Sequence, residues 1–198
     1  MTRIVLCDDH ALIRRGIRDT LTEQPDLDVV GEAGDYGELR ALLRQQPCDV
    51  LVLDINLPGR SGLDVLHALK EEASPIKVLI VSMYPEDQYA LRALRAGAYG
   101  YVNKGGDAAQ IVAAVRTVAQ GRKYVTPEMA QMLVENLTAP VSEAAHEKLS
   151  DRELQTLVLI ASGKRLADIA EALTLSPKTV SVYRARVLEK LGLTNNSE

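Results

Sequence analysis

Four apolar runs in the first 104 residues end in groups able to do chemistry. Asp8 and Asp9 follow RIVLC, Asp54 follows VLVL, Ser82 follows KVLIV, and Lys104 follows AYGYV after one asparagine. Brought together, three carboxylates repel one another and hold their protons more tightly. A divalent cation removes that penalty, and hard oxygen ligands with room for water and phosphate oxygens suit Mg²⁺. A lysine adds fixed positive charge, and a serine hydroxyl can donate to a phosphoryl oxygen. This set makes a site for an aspartyl phosphate with Asp54 as the nucleophile. Two plainer readings stand beside it. Asp54 could simply bond to turn amides, and Lys104 could merely neutralise the acids, which leaves the placement of Asp8, Asp9 and Ser82 unexplained.

The elements that must position these groups alternate. Strands are expected at Arg3–Cys7, Leu27–Ala33, Val50–Leu53, Lys77–Ser82 and Ala98–Val102, because each is a short apolar run bounded by polar or breaking residues. Helices are expected at His10–Leu21, Tyr36–Gln45, Ser61–Lys70, Glu86–Ala96 and Asp107–Gln120, from apolar residues at helical spacing. The Asp54 strand ends at Asn56 and a Pro-Gly pair, and Ser61 is placed to cap the next helix. Five alternations predict an α/β fold, a doubly wound five-stranded parallel sheet with helices on both faces. Right-handed crossovers then put all strand carboxyl ends on one rim, where such sheets bind ligands. His10 reads as structural, since a lone histidine lacks the cluster a metal site needs.

Composition narrows the classes. With 198 residues, 46% of them hydrophobic, the chain can build one or two cores. It has 23 basic and 27 acidic residues, so no gross positive charge points to nucleic acid. No 18-residue apolar run and no signal-peptide core are present, which predicts a cytoplasmic protein without a membrane partner. Cys7 and Cys48 have no metal-ligand companions and read as reduced, buried thiols. The 4% aromatic content is all tyrosine, which argues against single-strand binding by base stacking.

The second part of the chain changes character. A short helix is expected from Pro127, then a small-residue linker over Ala139–His146. Three helices and no strand follow, at Ser150–Ser162, Arg165–Leu173 and Pro177–Leu191. SDRE at Ser150 is a capping box, Gly163 ends that helix, and Ser176-Pro177 opens the last one. The tight LTLS connection points to a helix-turn-helix. On the last helix Val180, Tyr183, Val187 and Leu191 share one face, while Lys178, Val182, Ala185 and Glu189, flanked by Ser181 and Arg186, form the other. Small and basic residues on such a face can enter a major groove. An ordinary solvated helix is the alternative; Glu189 fits it, and from Val141 onward eight basic residues meet eight acidic ones.

Two resemblances bear on these residues. The acid pair Asp8-Asp9, DINLPGRSG around Asp54, Ser82, and GAYGYVNK ending at Lys104 resemble the receiver domain of two-component response regulators, over residues 1–122. LSDRELQTLVLIASGKRLADIAEALTLSPKTVSVYRARVLEKLGL resembles the LuxR/NarL-type output domain, over 148–198, with 123–147 a helical linker. The first implies that a histidine kinase phosphorylates Asp54. It also implies Mg²⁺ held by Asp9, Asp54 and the Asn56 carbonyl, with Asp8 helping through water, and phosphoryl contacts from Ser82 and Lys104. Tyr101 matches the family's switch aromatic, expected to turn inward when Ser82 moves toward the phosphate. The second implies double-stranded DNA as a partner, with Lys178, Thr179, Arg184 and Arg186 on phosphates and Ser181, Val182 and Ala185 on bases. Ser181 stands where the family often has lysine, so base preference does not carry over. The family usually continues beyond Glu198 into a fourth output helix, so either the sequence is a shortened one or dimerisation rests on the receiver.

The expected function is thus a phosphorylation-switched, DNA-binding regulator that forms a homodimer when phosphorylated, and not a turnover enzyme. The surface bearing Arg92, Arg95, Tyr101 and Arg116 is expected to be a dimer or docking face. Two rivals stand. One is a regulator whose output helices bind protein. The other is a Mg²⁺-dependent phosphatase, which the lack of a further acid-base residue beside Asp54 disfavours.

Overall fold

A computed structural model describes residues 1–138 and 148–195. The linker read over Ala139–His146 and the chain end at Glu198 lie outside those residues. The chain divides into two compact units, Met1–Thr138 and Ala139–Glu198.

The first unit is a five-stranded parallel sheet: β1 (Thr2–Cys7), β2 (Leu27–Ala33), β3 (Val50–Asp54), β4 (Lys77–Ser82) and β5 (Gly100–Asn103), in the order β2-β1-β3-β4-β5. Its helices are α1 (Ala11–Thr22), α2 (Tyr36–Gln45), α3 (Gly62–Glu71), α4 (Glu86–Ala96), α5 (Ala108–Ala119) and α6 (Pro127–Thr138). β3 lies in the sheet interior with all five residues buried, as its unbroken apolar run requires. Strand alternation sends Ile4, Leu6, Val50, Val52, Leu79 and Val81 into one core layer with Ile17, Leu21, Ile111 and Val115 of α1 and α5. β5 begins two residues later than its apolar pattern predicts; the Ala98 amide is taken up at the end of α4, donating to the Ala93 carbonyl at 2.9 Å.

Register sets the strand ends level: Cys7 lies opposite Leu53, Asp54 opposite Val81, and Ser82 opposite Asn103. Beyond α5, Tyr124 makes a single parallel bridge to Gly100, and its amide donates to the Tyr99 carbonyl at 2.7 Å. α6 then packs on α4, with Met129 buried and the Thr126 hydroxyl donating to Glu86 at 2.7 Å. α6, read from sequence as part of a linker, is thus a packed element of the first unit. Both cysteines are free; burial pushes the Cys7 thiol up to about 12 and Cys48 up to about 11, so neither is poised to react.

The second unit comprises α7 (Asp151–Ala161), α8 (Leu166–Ala172) and α9 (Pro177–Leu191). The Ser150–Glu153 capping box forms as its sequence predicts. Ile169, Ala170, Leu173 and Val180 make its core, with Leu159, Ile160, Leu166 and Leu175 packed against them. Gly163 (φ 76°) and Gly192 (φ 69°) turn the chain after α7 and α9 in the left-handed region that favours glycine. The α8–α9 turn does so with Thr174 at φ 53°, a β-branched residue where glycine or asparagine would be at ease.

Candidate functional site

The carboxyl ends of β1, β3 and β5 bring Asp8, Asp54 and Lys104 together. Lys104 Nζ lies 2.6 Å from Asp8 Oδ2 and 2.8 Å from Asp54 Oδ2, and all three side chains are at most 5% exposed. Lys104 is seated by its own amide, which donates to the Ser82 carbonyl at 2.8 Å. Asp8 is fixed from the other side: the Arg14 guanidinium donates to its carbonyl, and its Oδ1 accepts the His10 amide at 2.9 Å. One glycine decides whether Asp54 can sit here at all. The first residue of α3, Gly62, lies so close that a Cβ there would fall 2.0 Å from the Asp54 carbonyl oxygen. Its amide donates to the Ile55 carbonyl at 2.8 Å, and Ser61 caps α3 with a second capping box.

Burial pushes the Asp54 carboxyl up to about 6; Lys104 opposes that rise, Asp8 adds to it, and the Asn56 amide, bonded to the carboxylate, opposes it. Asp9 Oδ1 is a buried oxygen with no hydrogen bond among the described residues, and Asp54 Oδ2 has the Lys104 ammonium at 2.8 Å. Three carboxylates around one ammonium are a donor set for a hard cation. Asp8, Asp9, His10 and Asp54 each offer a ligand atom within 4.8 Å of the others. Sequence reasoning set His10 aside as structural. The fold instead turns its Nδ1 to within 2.6 Å of Asp9 Oδ1 and 3.5 Å of Asp8 Oδ1.

Ser82 is fully buried, and its Oγ accepts the Tyr84 amide at 3.3 Å. Tyr101, expected to move inward, is already fully buried. Its hydroxyl donates to the Tyr84 carbonyl at 2.7 Å, and Asn103 Nδ2 donates to the same oxygen at 2.9 Å. Asn103 Oδ1 in turn accepts the Gly105 amide at 2.7 Å, bracing the loop beyond Lys104. Tyr84 stacks on Tyr89 with ring centroids 4.6 Å apart, and its hydroxyl accepts from Asn56 Nδ2 at 3.4 Å. Asn103 was passed over in the sequence; an amide one residue before the rim lysine, followed by Gly-Gly, was the available sign.

The arginine-bearing face read from sequence does not form as one surface. Tyr101 is inside, and Arg116 faces the β2 side, where it pairs with Asp26 at 2.7 Å and donates to Gln24 Oε1 at 3.0 Å. α6 covers part of α4.

In the second unit α9 buries Val180 and Val187 and leaves Lys178, Ser181, Val182, Ala185 and Arg186 exposed. Val182 is one of the few exposed large apolar side chains. Arg184 and Thr179 are half-buried; the Thr179 hydroxyl sits 2.8 Å from the capping Ser176 hydroxyl. Ser181 returns its hydroxyl to the Pro177 carbonyl at 3.0 Å. Lys190 anchors α9 to the start of α7 through Glu153 at 2.7 Å. Burial alone would raise the Glu153 carboxyl, but Lys190 and the Ser150 amide together hold it below its ordinary value.

Residues 4–116 match the response regulator receiver domain, and residues 147–198 match the bacterial regulatory proteins of the luxR family. The chain is a response regulator of the LuxR family. The regulator is 37% identical over its whole length to the response regulator GacA of Pseudomonas viridiflava, covering 93% of that protein. It is 33% identical to UvrY of Escherichia coli K12, again over its whole length and 91% of the relative. Among solved structures, RcsB of Salmonella enterica serovar Typhimurium, bound to a promoter in the presence of beryllofluoride, matches with a TM-score of 0.65 at 25% identity. That likeness covers 98% of the regulator and 94% of RcsB. Receiver plus DNA-binding domain is a regulatory architecture and not that of a turnover enzyme. Among the described residues, no helix of the regulator is long and apolar enough to cross a membrane.

Proposed function

We propose that Asp54 accepts a phosphoryl group from a phosphohistidine of a sensor kinase, and that this modification governs dimerisation and DNA binding through α9. The observation that carries the reading is the buried triad: one lysine ammonium between Asp8 and Asp54, with the Asp9 carboxylate beside them. An Asp54 oxygen attacks phosphorus as the phosphorus–nitrogen bond of the donor breaks and the leaving imidazole takes up a proton. Asp8, Asp9, Asp54 and the Asn56 carbonyl would hold Mg²⁺, which when bound would offset carboxylate repulsion and neutralise phosphoryl charge. Lys104 exchanges part of its pairing with Asp54 for a phosphoryl oxygen. Ser82 supplies a hydroxyl to another, which draws on the strap that joins its Oγ to the Tyr84 amide. Because the Tyr84 carbonyl also holds Tyr101 and Asn103, movement at Ser82 reaches β5 through two hydrogen bonds.

On α9, Lys178, Thr179, Arg184 and Arg186 contact phosphates, while Ser181, Val182 and Ala185 face base edges, Val182 suited to a thymine methyl. What supports this is the exposure of the small residues together with the buried Val180 and Val187 on the reverse side. Two copies on two half-sites supply affinity that one output unit lacks. The test is incubation of the full chain with Mg²⁺ and acetyl phosphate, read by intact mass, then capture of sheared genomic DNA with and without beryllofluoride. One added phosphoryl group, absent in Asp54→Asn, with fragments enriched only with beryllofluoride, is expected. A phosphoryl group that persists in Asp54→Asn would overturn the assignment of the acceptor.

A further inference from the structure

We propose that His10 supplies a nitrogen ligand to the acidic pocket, so that the pocket's preference for first-row transition ions over Mg²⁺ depends on this residue. The inference rests on the cation-site reading above and names the class of ion that the site favours. Lys104 engages the Oδ2 atoms of Asp8 and Asp54. His10 meets different oxygens of the cluster: its Nδ1 lies 2.6 Å from Asp9 Oδ1 and 3.5 Å from Asp8 Oδ1. Ligand atoms around an ion at about 2.1 Å stand about 3 Å apart when adjacent and about 4 Å apart when opposed. The four ligand atoms of Asp8, Asp9, His10 and Asp54, all within 4.8 Å of one another, come near that spacing as they stand.

Three further observations direct the imidazole to an ion. Asp9 Oδ1 is buried and has no hydrogen-bond partner, so the 2.6 Å approach of Nδ1 is not an aligned hydrogen bond. Two lone-pair atoms this close need a shared proton or a shared cation between them. Asp54, on a side chain 2% exposed, shares its one ammonium with Asp8, so carboxylates outnumber cations in the pocket. His10 occupies the N-cap position of α1 and yet makes no side-chain cap, so its ring is not engaged in holding the helix. Its amide bond to Asp8 Oδ1 at 2.9 Å fixes the backbone from which the ring reaches the acids. With half its side chain exposed, His10 stands at the mouth, leaving coordination positions open to water and phosphate oxygens. Carboxylate and carbonyl oxygens suit Mg²⁺, whereas imidazole adds affinity for Co²⁺, Ni²⁺ and Zn²⁺.

The test uses the full chain stripped with chelator, titrated calorimetrically with MgCl₂ and separately with CoCl₂. His10→Asn is the variant of choice, since asparagine caps a helix well and keeps α1 intact. Co²⁺ affinity is expected to fall about tenfold or more while Mg²⁺ affinity stays within about threefold. Pulsed electron resonance of the Mn²⁺-loaded wild-type chain is expected to show coupling to an imidazole nitrogen, absent in the variant. Equal effects on Co²⁺ and Mg²⁺, or no nitrogen coupling in the wild type, would overturn the role of His10 while leaving the pocket a cation site. If neither ion binds the wild-type chain and Asp54 is not phosphorylated, the reading beneath it falls as well.

Discussion

Replacing Asp54 by asparagine should make the regulator more stable at neutral pH in the absence of divalent ions. Burial holds the Asp54 carboxyl at about 6 against an ordinary 3.8, Lys104 notwithstanding. Each pH unit between those values is worth about 1.4 kcal/mol, so the ionised side chain costs the folded state about 3 kcal/mol at pH 7.5. The folded-state value is the raised one. Between roughly pH 4 and pH 6 the folded protein therefore keeps a proton that the unfolded chain has lost. Wild-type stability falls across that window as pH rises, then levels. Asparagine has the shape of the protonated acid and escapes this loss. The expected gap is about 3 kcal/mol in favour of Asp54→Asn at pH 7.5 and near zero below about pH 4. Urea unfolding in chelator, followed by tyrosine emission, is the assay; six of the seven tyrosines lie in the first unit and there is no tryptophan. Saturating Mg²⁺ should narrow the gap, since an ion at 100 times its dissociation constant adds about 2.7 kcal/mol to the state that binds it. A variant no more stable than wild type at pH 7.5, or a gap of the same size at pH 4, would refute the reasoning.

Three other substitutions test separate parts of the structure. Gly62→Ala puts a methyl 2.0 Å from the Asp54 carbonyl oxygen, and should cost about 3 kcal/mol in first-unit stability along with most phosphorylation from acetyl phosphate. Lys190→Met leaves the buried Glu153 carboxylate without its cation; with Lys190 40% exposed, the loss should be about 1–2 kcal/mol at pH 7, less than for a fully buried pair. Because the folded Glu153 value is depressed, that contribution is present above its ordinary 4.5. The difference between the two proteins should therefore shrink as pH falls below it in urea melts followed by circular dichroism. Thr174→Asn relieves the left-handed backbone of the α8–α9 turn and should raise second-unit stability by about 1 kcal/mol, read as a shift in its unfolding midpoint.

What was legible in the sequence follows from where the information sits. β3 announced itself because an apolar run flanked by Asp54 and Pro58-Gly59 is local, and so are the Ser61, Ser150 and Ser176 caps. The convergence of Asp8, Asp54 and Lys104 also followed, since parallel strands put their carboxyl ends on one rim. What the sequence concealed depends on contacts between distant segments. Gly62 looks like any residue at a helix start; its necessity appears only once the Asp54 carbonyl is 2.0 Å from where its Cβ would be. His10 has no ligand neighbour beyond the acid pair in sequence, and only the turn into α1 points its ring back at Asp9. Arg116 lies on the same helix as residues near the rim, but helical phase carries it to Asp26. α6 has too mixed a composition to declare a partner, and its burial of Met129 depends on α4.

The bridge between Gly100 and Tyr124 has a practical consequence for anyone who wishes to isolate the receiver. Cutting at residue 122, where the sequence family resemblance ends, would strip Tyr124 from the outer side of β5 and leave its backbone groups open to a neighbouring molecule's strand. It would also remove the cation of Lys123 from the Tyr99 ring, 4.5 Å away, and bare the surface that Met129 covers. A fragment ending at Thr138 keeps Lys123, Tyr124 and Met129 with the unit they belong to, and should stay monodisperse at concentrations where the shorter one sticks to itself.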